Sequence, residues 1–476
     1  MKSLVVIIGG GPAGLATAIA LAKRGWQNIT VLEKRPTPDY YEPDKSYSYQ
    51  IDGRGQKLTD LLGLTSQLAS QSVPNTEFYF TLISKNGNRK TRKVPIVDPK
   101  RKTAYWLPRQ SLIQLFSEEI VQNWSDSIRI LFATECKEIK EHPQGLEIIA
   151  QSLQEQEVSL TPTLLVGCDG LNSVVRQFLN QREQGKSQRF AMQKFPSASS
   201  GLKYKVLTFP PNFPLSDAPG DLAESTMAYA IRASFTGRRK AFSLGILPLK
   251  NQNQPRSANI ITYQDHEIWQ LKTTSQLEYF FKQAFAHLPL TKIISNCELE
   301  RFLSSSGGVF PSPQYCSGLS QIIGKYEENL GTGVILFGDA VHCFPPDIGQ
   351  GVNSALEDVY LFDEVLAQTK DNLWSALPLY QSLRENDVRA LIRLVQICYP
   401  WQYNQAPLRQ KLWSVNFFGR FLLNRLFPFL FNPHSFLLIQ NHQLSYAEIL
   451  AKSNQTTFRL TVGLLILLIG LYYGVT

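Results

Sequence analysis

Apolar residues fall along this chain in two patterns. Short unbroken runs stop at glycine or an acid: Leu4-Val5-Val6-Ile7-Ile8 ends at Gly9-Gly10-Gly11-Pro12, and Ile29-Thr30-Val31-Leu32 ends at Glu33. Runs this short and this apolar predict parallel strands buried on both faces. Ala13 to Arg24 between them predicts a helix, so the chain opens strand, glycine turn, helix, strand. Leu164-Leu165-Val166 and Val334-Ile335-Leu336-Phe337 are strands of the same kind. The second pattern alternates. Ala241 to Leu247 and Asn259 to Tyr263 read as strands of another sheet. A secretory signal has no use for a glycine triplet in its apolar core, so the opening is not a signal peptide.

The far end of the chain is apolar in a third way. Leu460 to Thr476 holds 17 residues without a charge, a helix of about 25 Å against a hydrocarbon core of about 30 Å. Adding Thr456 to Arg459, with Arg459 snorkelling, gives 456–476 and about 31 Å, enough to span. Before it, Val415 to Ile439 carries Phe417, Phe418, Phe421, Leu422, Leu426, Phe427, Phe429, Leu430 and Phe431 with Arg420 and Arg425, a pattern suited to lying in a headgroup layer.

Composition changes the picture in three ways. With 476 residues, 43% hydrophobic and 18% charged, the chain has core enough for about three domains and is neither disordered nor fibrous. Its six cysteines are scattered, with no CxxC pair and no histidine cluster, so neither a metal site nor a disulfide framework is expected. The net charge is +9, and from Trp401 onward Arg409, Lys411, Arg420, Arg425, Lys452 and Arg459 face Glu448 alone. Basic residues among Phe, Leu and Trp favour a membrane surface over nucleic acid, with the catalytic body on the cytoplasmic side.

The candidate chemistry starts at the glycine turn, Gly9-x-Gly11-x-x-Gly14 with Pro12 and Ala13 inside it and Glu33-Lys34 after the second strand. Gly9 allows the turn, Gly11 lets backbone approach a pyrophosphate, Gly14 lets helix and strand pack, and Glu33 can accept from a ribose diol. That is a dinucleotide-binding unit.

Two more motifs stand behind strands: Gly167-Cys168-Asp169-Gly170-Leu171-Asn172-Ser173-Val174-Val175-Arg176, and Gly338-Asp339-Ala340-Val341-His342-Cys343-Phe344-Pro345-Pro346-Asp347-Ile348-Gly349-Gln350-Gly351-Val352-Asn353. With them the chain resembles the FAD-dependent aromatic hydroxylase family. The resemblance implies that Asp169, Gly170 and Arg176 contact FAD and NAD(P)H. It implies that Gly338 and Asp339 hold the ribityl chain, and that Pro346, Gly349, Gly351, Val352 and Asn353 lead into a helix facing the flavin pyrimidine ring. Arg109, at a helix start, and Arg54 match arginines of the family that meet the cofactor. His342 reads as a packed residue of the ribityl motif, and no catalytic side chain is assigned.

Within the family the pattern is most similar to the kynurenine 3-monooxygenases, through Gly349-Gln350-Gly351-Val352-Asn353 with Glu357-Asp358. It departs from them where substrate is held. Those enzymes carry carboxylate-binding arginines where this chain has Asn75-Thr76-Glu77-Phe78, and paired phenylalanines where it has Asp347-Ile348. A buried substrate carboxylate would lack its charge partner, so kynurenine is not the expected substrate.

The resemblance implies a monooxygenase: NADH or NADPH reduces FAD, and a hydroperoxyflavin passes one oxygen atom to an aromatic or hydrophobic small molecule. Two other readings stay open, a membrane-bound FAD-dependent reductase or dehydrogenase of a lipid-like or isoprenoid substrate, and a non-catalytic binding protein on the same fold. The expected fold is α/β. A Rossmann-like FAD-binding domain (1–183 and 325–395) carries an inserted β-sheet substrate domain (184–324) and a helical, membrane-associating region (396–476).

Overall fold

The computed structural model describes residues 4–40, 42, 47–75, 78–94, 102–143, 145–183, 187–237, 239–325, 330–403 and 406–475. Thr76 and Glu77, on which the substrate argument leaned, and Thr476, at the end of the expected span, lie outside the described residues.

The unbroken apolar runs become one sheet. Its six strands follow the order Ser320–Lys325, Leu330–Leu336, Leu164–Gly167, Val5–Ile8, Ile29–Leu32, Ile128–Leu131. All neighbours are parallel except the first pair. Val5, Val6, Ile7, Leu164, Leu165, Val166, Val334 and Ile335 are fully buried, as a sheet covered on both faces requires. The helix Pro12–Lys23 lies between this sheet and the long helix Gly351–Gln368. Parallel pairing in register, Val5 with Leu164 and Leu164 with Gly333, brings Ile8, Gly167 and Leu336 to one sheet edge. The three motifs follow directly from these ends.

The alternating segments build a second sheet of seven strands, ordered Gly308–Val309, Lys203–Phe209, Arg256–Thr262, Ser243–Ile246, Ala228–Arg232, Phe78–Ile83, Arg89–Val94. Phe78–Ile83 joins it parallel to Ala228–Arg232, so a segment far upstream of residue 184 completes the sheet. Periodicity cannot show this, because a strand's partner across the chain is a tertiary matter. Its buried face has its own core with the helices Thr274–Ala284 and Asn296–Ser304.

A third core ties the C-terminal region to the glycine-rich turn: Ile348 packs with Leu391, Leu394, Val395, Tyr446 and Ile449. The last helix runs Tyr446–Val475 and is divided by its environment. Tyr446, Ile449, Ser453 and Thr456 are buried, while Phe458, Leu464, Ile466, Leu468, Leu471 and Tyr472 are exposed. Tyr446–Tyr472 is long and apolar enough to cross a membrane, with a mean hydropathy of 1.5 in its most apolar stretch. The preceding helix, Pro407–Leu426, exposes Leu408, Leu412, Val415, Phe418 and Leu422. Arg420 is a correction to the surface pattern. It turns inward, donating to the Ser453 carbonyl at 3.3 Å and the Thr457 hydroxyl at 2.8 Å, and so joins the two apolar helices. Arg459 donates to the Leu430 carbonyl.

Candidate functional site

The site is the C-terminal edge of three adjacent strands, where an open α/β sheet binds its ligands. At the first, Gly9 takes φ of +103°, and a Cβ on Gly14 would lie 1.9 Å from the Gly9 carbonyl oxygen. Both positions therefore demand glycine. A Cβ on Gly11 would meet no protein atom within 4 Å, so that glycine leaves room for something outside the chain. Pro12 and Ala13 begin the helix, whose N-terminus has no side-chain cap.

Glu33 is buried beside this turn. Its Oε2 accepts from Gly10 N at 2.7 Å, its Oε1 accepts from Arg35 N at 2.8 Å, and Arg35 pairs with it at 3.1 Å. Burial opposes its ionisation, yet Arg35 and the amides hold its pKa below the usual value. Arg35 Nη2 also reaches Oε2 at 3.1 Å, so each carboxylate oxygen already accepts from two protein donors, and a ribose hydroxyl here would share or displace one of them. Lys34 is exposed.

At the second strand, Asp169 Oδ2 accepts from Val174 N at 2.6 Å. Its Oδ1 is buried with no hydrogen-bond partner, and burial raises its pKa. Gly170 has φ of +80° and open space where a Cβ would stand. At the third strand, Asp339 is exposed between the buried Gly338 and Ala340. Protein nonetheless crowds its carboxyl, and the desolvation raises its pKa against the influence of His342, Cys343 and Arg109. Arg109 begins the helix Arg109–Glu119 and lies 3.7 Å from Glu42, beside Tyr47 and Tyr49. A cavity of about 270 Å³ runs from Tyr47 and Arg109 to Leu247–Leu249 and Gln254–Ser257 of the seven-stranded sheet. A cavity of about 680 Å³ between Trp26 and Trp374 is lined by Gly331 and Gly333 at the opposite sheet edge. No residue of the three motifs lines it.

Pro346 and Gly349 are exposed in the turn before Gly351–Gln368, and Gly351 and Val352 are half-buried at its start. This helix also has no side-chain cap. Open glycine cradles, two uncapped helix N-termini and the unmet Asp169 Oδ1 are what a diphosphate joined to polyhydroxy chains fits.

Three expected cofactor residues are engaged elsewhere. Arg54 is buried, donating to Glu357 and to the Leu444 carbonyl, each at 2.7 Å, under the Tyr446 ring. Arg176 donates to the carbonyls of Ala340 at 2.8 Å and Leu171 at 2.7 Å, linking the second motif to the third. Asn353 Nδ2 donates to Gln50 and Gly349 carbonyls, and its Oδ1 accepts from Asp52 N. These side chains hold the cradle's walls. A motif match identifies the position, but only packing shows where a long side chain points.

Sequence reasoning missed the partners of those walls. Arg384, fully buried, pairs with Asp358 at 2.8 Å and Glu357 at 2.9 Å. Asp358 also accepts from Gly338 N at 2.8 Å and His342 Nε2 at 2.9 Å. Gln350 donates to Asp52 and accepts from the Tyr446 hydroxyl, each at 2.8 Å, connecting the last helix to the glycine-rich turn. Glu357-Asp358 was the only signal for this network.

The comparisons with known proteins agree with this geometry. A family model described as an FAD binding domain matches residues 2–206 and 321–390, more than half of the chain. Kynurenine 3-monooxygenase of Salinispora tropica is 24% identical over 95% of this chain and 91% of its own. Violacein synthase of Chromobacterium violaceum is 26% identical over 83% and 84%. Among solved structures, aklavinone-11 hydroxylase with FAD and aklavinone has a TM-score of 0.61 at 18% identity, covering 87% of this chain and 71% of that one. PqsL of Pseudomonas aeruginosa, a probable FAD-dependent monooxygenase, has a TM-score of 0.54 at 17% identity over 87% and 99%. These two show the fold. The chain belongs to the FAD binding domain family, and it is an FAD-dependent monooxygenase of the aromatic hydroxylase type.

Proposed function

We propose that this monooxygenase is attached to a membrane by its last helix, takes electrons from NADH or NADPH, and oxygenates an aromatic or hydrophobic small molecule other than kynurenine. One observation carries the reading: Gly11, Asp169 and Asp339, far apart in the chain, meet at the ends of three adjacent parallel strands. Bound FAD supplies the redox and oxygen chemistry. The stepwise oxygen transfer expected from the resemblance is part of the same reading.

The chain's own residues bind and orient. Gly9, Gly11, Pro12, Ala13 and Gly14 would cradle the pyrophosphate, Glu33 would take the ribose, and Lys34 stands at the rim. Asp169, Gly170, Gly338 and Asp339 would accept from the ribityl chain, with Arg109 beside Asp339. Pro346, Gly349, Gly351 and Val352 would place an uncapped helix N-terminus against the flavin ring, where negative charge gathers on reduction. Arg54, Arg176 and Asn353 keep that cradle in shape. In this reading 1–183 and 325–395 hold the cofactor, 184–324 covers the substrate with help from Phe78–Val94, and 396–476 attaches the protein. The basic residues of the tail support a catalytic body on the cytoplasmic side. The exposed apolar stretch supports attachment: Phe458 to Tyr472 spans about 22 Å at about 1.5 Å per residue, and the helix continues to Val475.

The test uses the full chain in mild detergent, with visible absorbance recorded before and after anaerobic NADPH or NADH and again after admitting air. A flavin spectrum that bleaches and returns is expected. Gly11→Ala should retain the fold, because its methyl group meets no protein atom, but should lose bound flavin. A variant with full flavin content would overturn the placement of the pyrophosphate, and a flavin that neither nicotinamide bleaches would overturn the reductant.

A further inference from the structure

Asp347 is the buried acid that the cofactor cradle leaves unexplained. It sits in the turn Pro346–Ile348, just before Gly349-Gln350-Gly351, and is 4% exposed. Two distant parts of the chain converge on it. Its Oδ1 accepts from Ser199 Oγ at 2.7 Å and Gln402 Nε2 at 3.0 Å. Ser199 precedes the strand Lys203–Phe209 of the seven-stranded sheet, and Gln402 lies between the helices Leu373–Ile397 and Pro407–Leu426. Oδ2 is buried and has no hydrogen-bond partner. No cation pairs with the carboxyl among the described residues.

The surroundings are aromatic. Tyr403 feels the charge of Asp347, its ring lies 5.7 Å from that of Phe310, and Phe310 lies 5.2 Å from Tyr204 of the sheet. A buried acceptor without a donor is costly and rare in a folded protein, and it is tolerated where a ligand completes the bonding.

We propose that Asp347 is a substrate-anchoring residue whose free Oδ2 takes a hydrogen bond from a hydroxyl or amine on an aromatic, hydrophobic substrate, and so selects phenol- or arylamine-type molecules against carboxylates. The proposal rests on the monooxygenase reading above, in which substrate lies between the sheet and the flavin-facing turn. Asp347 stands where the kynurenine enzymes of the resemblance carry one of their paired phenylalanines. Where a cation would welcome a substrate carboxylate, this chain presents a carboxyl held by two neutral donors, which repels one. Desolvation raises its pKa to about 6, so at neutral pH it is mainly an acceptor with an unfilled oxygen.

The experiment titrates full-length, FAD-loaded protein in mild detergent with 4-hexylphenol and with 4-hexylbenzoate, two probes of matched apolar length, and measures binding by isothermal titration. The wild type is expected to favour the phenol, and Asp347→Asn to weaken phenol binding by about tenfold or more while strengthening benzoate binding. A variant with normal flavin content and wild-type affinity for both probes would overturn the assignment. Should the variant fail to load flavin, the wild type decides by its pH profile. Among the described residues Ser199, Gln402 and Tyr403 are the polar groups facing Asp347, and Tyr403 is held above its usual pKa by burial and by Asp347, so none of these three titrates near pH 6 beside the carboxyl. Benzoate affinity should then rise as pH falls from 8 to 5, and a flat profile would sink the proposal. A chain that holds no flavin in any form overturns the underlying reading instead, whereas a flavin-loaded chain that does not discriminate the probes overturns Asp347 alone.

Discussion

Two buried acidic sites stand close together in sequence and are built in opposite ways. At Glu357-Asp358 every carboxylate oxygen is satisfied, and cations predominate: Arg384 and Arg54 with Lys57 on Glu357, Arg384 with His342 and the Gly338 amide on Asp358. At Asp347 one oxygen has two neutral donors and the other has none. Burial opposes ionisation at both. At the pair, Arg384, Arg54, Lys57 and His342 outweigh it and the pKa values fall; at Asp347 nothing does and the pKa climbs to about 6. Compensated charge holds the walls of the site, and the uncompensated oxygen of Asp347 is what the proposed substrate contact would fill.

The comparison breaks most visibly at Arg384. Arg384→Met would leave two carboxylates in the interior without their main cation, a loss of about 3–5 kcal/mol, read as a lower midpoint in urea unfolding. Because the wild-type pair has depressed pKa values, the stability it contributes is present above the ordinary carboxylate range and is lost only as pH falls through the folded-state values. The variant's deficit should therefore be largest at neutral pH and shrink on acidification.

Asp347 has the opposite sign. Its folded pKa of about 6 exceeds the ordinary 3.8, so the folded state holds a proton that the unfolded chain has released, and the penalty grows as pH rises to 6 and then stays. Asp347→Asn should stabilise the protein by up to about 3 kcal/mol above pH 6, with the gain vanishing below about pH 4. Thermal unfolding at pH 5 and pH 8 checks this. A variant less stable at pH 8 would show that the carboxylate is compensated after all.

The smallest effect belongs to Lys57, which reaches Glu357 from a partly exposed position at 3.2 Å. Lys57→Met should change stability by less than about 1 kcal/mol. A larger loss would mean that Arg384 and Arg54 do not suffice for Glu357.

Much of the fold was legible because its signals are local. Val5–Ile8, Leu164–Gly167 and the strand ending at Leu336 are unbroken apolar runs followed by Gly-rich or Asp-bearing turns, and each reads the same in isolation as in the sheet. The glycine turn was legible for the same reason: Gly9 and Gly14 are required by backbone geometry, which a sequence states directly. The joining of Phe78–Ile83 to Ala228–Arg232 was not legible, since strand pairing over such a separation leaves no local trace.

Long side chains divide along the same line. Arg54, Arg176 and Arg420 are all arginines in plausible surface or cofactor patterns, yet each reaches acceptors that only folding brings near: Glu357, the Ala340 carbonyl, the Ser453 carbonyl. Asp347 stood out in the sequence only as a departure from a pattern. Its sequence by itself determined that this protein builds a parallel sheet with a dinucleotide cradle and ends in an apolar helix, because strand runs, glycine turns and uncharged helices are properties of neighbouring residues. Only the tertiary structure decided which buried charges have partners and which do not, because that depends on atoms delivered from distant parts of the chain into a medium where an unmet charge is expensive.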